Sequence, residues 1–79
     1  MAKVLLFGPL RDLAGWRERS IAASSVTTLT EALAAEDPEL GAALRGPGVQ
    51  VAIDQAIVKG DAALNDNAEV AFLPPMSGG

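Results

Sequence analysis

Alternating and helical patterns of apolar residues divide the chain into short elements, with glycine and proline between them. A run of valine, leucine and phenylalanine over residues 3–8 predicts a first strand, and residues 17–22 are predicted to return as a second. Only one or two helical turns fit between them, over residues 10–14, because Gly15 follows. The chain is therefore predicted to begin with a strand, a short helix and a second strand.

The middle of the chain carries the pattern of its main helix. Thr28 and Glu31 have the spacing of a capping box, which predicts that this helix starts at Thr28. Apolar side chains then recur at helical spacing until Pro38 prevents a simple continuation. Asp37 and Pro38 are suited to the N-cap and first position of another short helix, which is predicted to end at Gly46.

The last third of the chain predicts three further strands. Val49, Val51 and Ile53 alternate with Gln50 and Ala52 to give a strand with one apolar face. The next two residues, Asp54-Gln55, are predicted to turn the chain into a short strand over residues 56–59. A final strand is predicted over residues 69–74. One main helix against a mixed sheet of four or five strands is an α+β roll, in which the helix covers only one face of the sheet.

The face of the sheet that the helix leaves uncovered is predicted to be apolar. Side chains alternate between the two faces of a strand, so the residues between the expected core positions point away from the helix. These outward positions are small or apolar: Leu5, Phe7, Ala52, Ala71 and Leu73. They indicate a surface for a protein partner, and the alternative is ordinary exposed apolar area.

Size and composition exclude most catalytic chemistry. A chain of 79 residues forms one domain, and a domain this small buries only about 60% of its unfolded surface, which leaves little interior for a substrate pocket. Cysteine and histidine are both absent, which excludes disulfides, thiolate or imidazole metal sites and Ser-His or Cys-His nucleophile pairs. We therefore expect no metal site, no bound cofactor and no catalytic side chain.

Charge and hydropathy also exclude some classes of partner and some cellular locations. Ten acidic and six basic residues give a net charge of −4, which opposes binding to nucleic acid. The first apolar run is followed at once by Pro9, Arg11 and Asp12, so it fits neither a signal peptide nor a membrane span. A cytoplasmic protein with no nucleic-acid or membrane partner is expected.

The C-terminal residues have a composition suited to a projecting tail. Residues 74–79 read Pro-Pro-Met-Ser-Gly-Gly; the prolines favour an extended backbone, and Gly78 and Gly79 have no side chain to block entry into a narrow channel. With glycine usage near 7%, chance gives such a pair in roughly one chain in two hundred. A domain over 1–74 and a tail over 75–79 are therefore predicted, the alternative being a frayed terminus.

Both ends of the chain resemble one family. Residues 3–8 (KVLLFG), 10–15 (LRDLAG) and 69–79 (EVAFLPPMSGG) are similar to the small subunit of molybdopterin synthase. The resemblance implies a ubiquitin-like β-grasp fold, which agrees with the α+β roll. It also implies that an E1-like adenylyltransferase activates the C-terminal carboxylate of Gly79 with ATP, and that a sulfurtransferase system converts it to a thiocarboxylate. The large synthase subunit then receives the tail, and the sulfur passes to cyclic pyranopterin monophosphate.

The same resemblance implies roles for individual residues. Gly79 is expected to carry the reacting carboxylate. The residues expected to insert into the partner are Pro75, Met76, Ser77 and Gly78. The residues that the family implies at the partner surface are Phe7, Arg11 and Leu73, and the apolar pattern described above adds Leu5.

Three other interpretations of the sequence remain open. A sulfur carrier for thiamine or another thiolated product would share the Gly-Gly end and the activation chemistry. A ubiquitin-like protein modifier would be activated in the same way, but Gly79 would end in an isopeptide bond. A structural subunit would require the tail to be dispensable.

Overall fold

A computed structural model describes residues 1–75, which form five strands and three helices. In chain order these are β1 (Ala2–Leu6), α1 (Gly8–Ala14), β2 (Glu18–Ile21), α2 (Val26–Glu36), α3 (Pro38–Leu44), β3 (Gln50–Ile53), β4 (Ala56–Val58) and β5 (Glu69–Leu73). The α+β class is confirmed, and each predicted strand and helix is present with bounds that differ by at most two residues.

The five strands form one mixed sheet in the order β2-β1-β5-β3-β4. The first and last strands, β1 and β5, pair in parallel, whereas the other neighbouring strands are antiparallel. β5 therefore lies between β1 and β3, and the chain leaves the sheet from an interior strand.

The core lies between one face of the sheet and the helices. The largest fully buried side chains come from both layers: Val4, Leu29, Leu33, Leu40, Val70 and Phe72. α2 and α3 pack closely where Gly41 meets Ala34, since a Cβ on Gly41 would lie 2.7 Å from the Ala34 Cα. The helical layer leaves the opposite face of the sheet without a cover from residues 1–75.

The start of α2 differs from the prediction. The helix begins at Val26 and its N-cap is Ser25, whose Oγ accepts a hydrogen bond from the Thr28 amide at 3.1 Å. The amide of Thr27 is bound instead by the Asp61 carboxylate, at 2.8 Å. The predicted N-cap at Thr28 was therefore wrong, because Ser25 and a distant aspartate satisfy the first-turn amides.

Two other local predictions are confirmed. The side chain of Asp37 caps α3 by accepting a hydrogen bond from the Leu40 amide at 3.2 Å, and Pro38 is the first residue of that helix. Asp54 and Gln55 form the two-residue turn between β3 and β4, with φ angles of 50° and 72°. Positive φ at both turn residues matches the twist of the two antiparallel strands.

Within residues 1–75, no helix is long and apolar enough to cross a membrane. The predicted cytoplasmic location and the boundary between a domain over 1–74 and a tail over 75–79 both stay predictions.

Candidate functional site

The strand register brings most of the predicted apolar patch together. Leu5 lies opposite Ala71, and Ala71 lies opposite Ala52, so one row of side chains crosses β1, β5 and β3. Phe7 continues β1 with an extended backbone, and Leu73 ends β5, so alternation places both on the side of Leu5. We call the apolar surface of these five residues and Ile57 the uncovered face.

Exposure varies across the uncovered face. Phe7 is 44% exposed, whereas Leu5, Ala71 and Leu73 are half-buried by their neighbours on the sheet. Ala52 is only 7% exposed and adds little surface, although its register places it on this side. The predicted patch therefore exists as a surface, with Phe7 as its most prominent predicted member.

Ile57 extends the uncovered face and was missed from the sequence. It lies opposite Ala52 on β4 and is 50% exposed. β4 has only three residues, so its sequence shows no alternation from which a face could be assigned. Ile57 can be assigned to the uncovered face only from the pairing register of β4 with β3, and that register depends on the turn at Asp54-Gln55.

A shallow groove borders the uncovered face and brings Arg11 beside two of the other predicted contacts. The groove has a volume of about 240 Å³, and its lining residues are Leu5, Leu6, Phe7, Arg11, Arg17 and Glu18. Arg11 is half-exposed and lies 3.8 Å from the Asp12 carboxylate, so its guanidinium is accessible to a partner. An apolar centre with a charged border is typical of a protein interface. Arg17 is a member of this border that the sequence analysis did not select.

The base of the tail lies at the same end of the sheet as Phe7. β5 ends at Leu73, and the half-buried Pro74 and exposed Pro75 follow it. The remaining expected tail residues, Met76, Ser77, Gly78 and Gly79, lie outside the described residues. The predicted partner contacts and the start of the tail are therefore adjacent.

The titratable groups with shifted pKa values have structural explanations. The Arg19 guanidinium donates to both carboxylate oxygens of Glu36, at 2.9 and 3.2 Å, and these hydrogen bonds lower the pKa of Glu36. The backbone amide of Thr27 lowers the pKa of Asp61 in the same way. Glu36 and Asp61 belong to the helical side of the molecule, so neither shift indicates a catalytic group at the uncovered face.

The described residues also contain no cluster suited to a metal ion. Within residues 1–75, no three acidic side chains are close enough together to hold one. The groups that this part of the chain offers a partner are therefore an apolar surface, charged border residues and the base of the tail.

The strand order and the single helical layer are those of ubiquitin-like β-grasp proteins, as the sequence resemblance implied. The chain belongs to the ThiS family, whose model matches residues 4–79. It is also 37% identical over 81 residues to the molybdopterin synthase sulfur carrier subunit of Escherichia coli, and the alignment covers all of both chains.

Solved structures agree with this assignment. The solution structure of small archaeal modifier protein 1 from Methanosarcina acetivorans is similar with a TM-score of 0.86 and 26% identity, covering 99% of this chain and 95% of that one. A protein from Pyrococcus furiosus assigned as subunit 1 of a molybdopterin converting factor gives a TM-score of 0.80 and 25% identity, covering 95% and 97%.

Proposed function

We propose that this chain is the sulfur carrier subunit of a molybdopterin synthase and that its working group is the C-terminal carboxylate of Gly79. The observation that carries the proposal is a ThiS-family domain whose interior strand runs into Pro74-Pro75 and whose sequence ends Gly78-Gly79. The full-length similarity to the E. coli sulfur carrier subunit supports the choice of pathway.

The proposed chemistry takes place at the tail and not at a side chain. A carboxylate oxygen of Gly79 attacks the α-phosphorus of ATP, and pyrophosphate leaves. A sulfide equivalent from a sulfurtransferase system then attacks the acyl carbon, AMP leaves, and a thiocarboxylate remains. Transfer of that sulfur to cyclic pyranopterin monophosphate returns the carboxylate, with its oxygen supplied by water or the acceptor.

The partners supply the catalytic groups in this proposal. The chain contains no cysteine or histidine, and residues 1–75 hold no cluster suited to a metal ion. Stabilisation of the developing charges is therefore assigned to the pockets of an E1-like adenylyltransferase and of the large synthase subunit. This chain is a non-catalytic carrier within a sulfurtransferase complex and binds no cofactor of its own.

The uncovered face is the proposed docking surface for the large subunit. Its apolar centre at Leu5, Phe7 and Leu73 adjoins the start of the tail, so one partner can bind the face and receive the tail together. Arg11 lies at the border, where a charge sets orientation and encounter rate more than affinity.

A protein modifier is the second candidate function. The observation that favours it is the similarity to small archaeal modifier protein 1, which has a TM-score of 0.86. In this alternative the activated carboxyl group of Gly79 is attacked by a lysine Nζ of a target, AMP is ultimately released, and an isopeptide bond forms. A carrier for thiamine or another thiolated product differs only in the sulfur acceptor.

A trapping experiment tests the proposal and separates these candidates. The protein is incubated with ATP, the E1-like adenylyltransferase and sulfide, and is then treated with iodoacetamide before its intact mass is measured. Because the chain has no cysteine, an alkylated product reports a thiocarboxylate and is not confused with methionine oxidation, which has nearly the mass change of one sulfur substitution. The matched control is the same chain without Gly79.

The expected result is an alkylated product that requires Gly79 and disappears when the large subunit and cyclic pyranopterin monophosphate are added before the alkylating agent. Failure to form it, while the acyl adenylate accumulates, would refute the sulfur carrier. Formation of lysine-linked conjugates under those conditions would support the modifier.

A further inference from the structure

Two glycines border the prolines at the base of the tail, and both have left-handed backbone conformations. Gly48, in the loop before β3, has φ +84°, and a Cβ placed on it would lie 2.9 Å from the Pro75 Cβ and 3.3 Å from the Pro75 Cγ. Gly8, at the start of α1, has φ +54°, and its Cβ would lie 3.4 Å from the Pro74 Cγ. The 2.9 Å distance to the Pro75 Cβ is shorter than real Cβ atoms show in contact with other atoms. Only glycine therefore fits at 48 without a shift of the neighbouring atoms.

Other glycines in the chain show that backbone conformation alone does not explain this arrangement. Gly15 and Gly60 also have positive φ, at +82° and +71°, yet a Cβ on either would meet nothing within 4 Å. The left-handed conformation by itself explains why glycine occupies positions 15 and 60. Gly48 has an additional requirement, which is its close contact with Pro75.

The two bordering glycines come from opposite sides of the last strand. Gly8 follows β1, and Gly48 precedes β3, and these are the two strands that flank β5. Pro74 and Pro75 therefore lie between these two loops. The approach to Pro75 requires glycine at 48, whereas the 3.4 Å distance at Gly8 is an ordinary contact. We call this arrangement of Gly8 and Gly48 the glycine cleft.

We propose that the glycine cleft is a positioning device that sets the direction in which the tail leaves the domain, with Gly48 as its main residue. Proline fixes φ near −65° at Pro74 and Pro75, so a shift of Pro75 changes the direction in which the tail begins. The inference rests on the proposed function, and it adds residues outside the tail and outside the uncovered face to those that determine sulfur loading.

The proposal predicts that a side chain at position 48 lowers the rate of adenylation without weakening binding of the carrier to the activating enzyme. A side chain at 48 shifts Pro75 and misdirects the tail, but it leaves the uncovered face unchanged. Misplacing a reacting group by about 1 Å can lower a rate by 10²-fold. We take the activating enzyme to dock on the uncovered face, as proposed for the large subunit, and therefore expect it to bind such a variant normally and to adenylate it slowly.

The test compares Gly48→Asn with Gly60→Asn and Gly15→Asn. Asparagine tolerates the left-handed conformation better than other L-residues, so the backbone cost is similar at the three positions, whereas only the side chain at 48 meets Pro75. Pyrophosphate release by the E1-like adenylyltransferase with ATP gives kcat and KM for each carrier. Thermal unfolding checks that each variant is folded.

We expect Gly48→Asn to lower kcat about tenfold or more, with KM within about twofold of the wild-type value, and both control variants to match the wild type. A second variant, Pro75→Gly, removes the two nearest atoms that the new side chain would meet, Pro75 Cβ and Cγ. In that background Gly48→Asn is expected to have no further effect on kcat.

Two results would overturn the inference while leaving the proposed function intact: equal kcat for Gly48→Asn and Gly60→Asn, or the same loss at 48 with and without Pro75→Gly. Absence of adenylation with the wild-type chain would instead refute the proposed function, and the inference with it.

Discussion

The two faces of the sheet are built from the same strands but have opposite environments. On the covered face, Val4, Leu6 and Phe72 are at most 2% exposed, beneath the helices. On the uncovered face, Phe7 is 44% exposed and Ile57 is 50% exposed. The hydrophobic effect explains the first set through folding alone. It gives the exposed side chains of the second set no such stabilisation, which is why we propose this apolar surface as a docking site for a partner.

The loss of folding stability on substitution by alanine should differ most between Phe72, on the covered face, and Phe7, on the uncovered face. Phe72→Ala is expected to lower the free energy of unfolding by about 3–5 kcal/mol, because it removes a ring from the centre of the core and leaves a cavity. Domains of this kind have only about 5–15 kcal/mol in total, so the variant should be close to unfolding. Urea denaturation followed by circular dichroism measures the change.

Phe7→Ala is the matched substitution on the other face. It should change the free energy of unfolding by less than about 1 kcal/mol, but weaken binding to the large synthase subunit by about 2 kcal/mol, as expected for an aromatic residue at the centre of an interface. Calorimetric titration measures the affinity, with Leu13→Ala as a control, since Leu13 is 41% exposed but lies on α1. Equal affinities for the wild type and Phe7→Ala would contradict the docking surface.

The next largest effect on folding stability should come from disturbing the close packing between α2 and α3 at Gly41. Alanine in place of Gly41 gains up to about 1 kcal/mol of helix propensity, but its Cβ would be forced against Ala34. Overpacking costs about 1–3 kcal/mol, so we expect a net loss of roughly 1–2 kcal/mol in the free energy of unfolding. Adding Ala34→Gly should make the substitution at 41 less costly. An increase in stability for Gly41→Ala alone would show that α3 can move away from α2.

The smallest expected effect is the pH dependence contributed by Asp61. Its pKa is lowered from 3.8 by the hydrogen bond from the Thr27 amide, so the carboxylate stabilises the fold fully above that value. This contribution is lost as the pH falls through the lowered pKa of the folded state. Asp61→Asn should therefore be less stable than the wild type at neutral pH and should lose less stability on acidification.

Urea denaturation between neutral pH and about pH 2 measures the slope of the free energy of unfolding against pH. The control is Asp12→Asn, on the surface of α1. The same slope for Asp61→Asn and the wild type would show that the interaction with Thr27 does not contribute to folding.

Local sequence patterns predict this structure best where one pattern determines an element by itself. The alternation around Leu5 and Phe7 places them on the uncovered face because β1 is long enough to show its period. The local pattern is misleading at the start of α2, where Thr28 has the better capping pattern but Asp61, 34 residues beyond Thr27, binds the first-turn amide. Such a partner is supplied by tertiary structure and is not visible in a local window.

Two features of the candidate site depend in the same way on distant parts of the chain. Ile57 joins the uncovered face through its register with Ala52. Gly48 lies in a Gly-Pro-Gly segment that predicts only a turn, and the sheet order brings it against Pro75. The roles of Met76, Ser77, Gly78 and Gly79 remain predictions from the sequence and the family.

The position of β5 inside the sheet has a mechanical consequence. A force that pulls the tail along the direction of β5 acts parallel to the strand and loads its hydrogen bonds with β1 and β3 together, not one after another. Strands loaded in this shearing direction resist separation, whereas an edge strand pulled sideways would peel away. The domain is therefore expected to stay folded when a tail bound by a partner, as proposed above, is withdrawn from it.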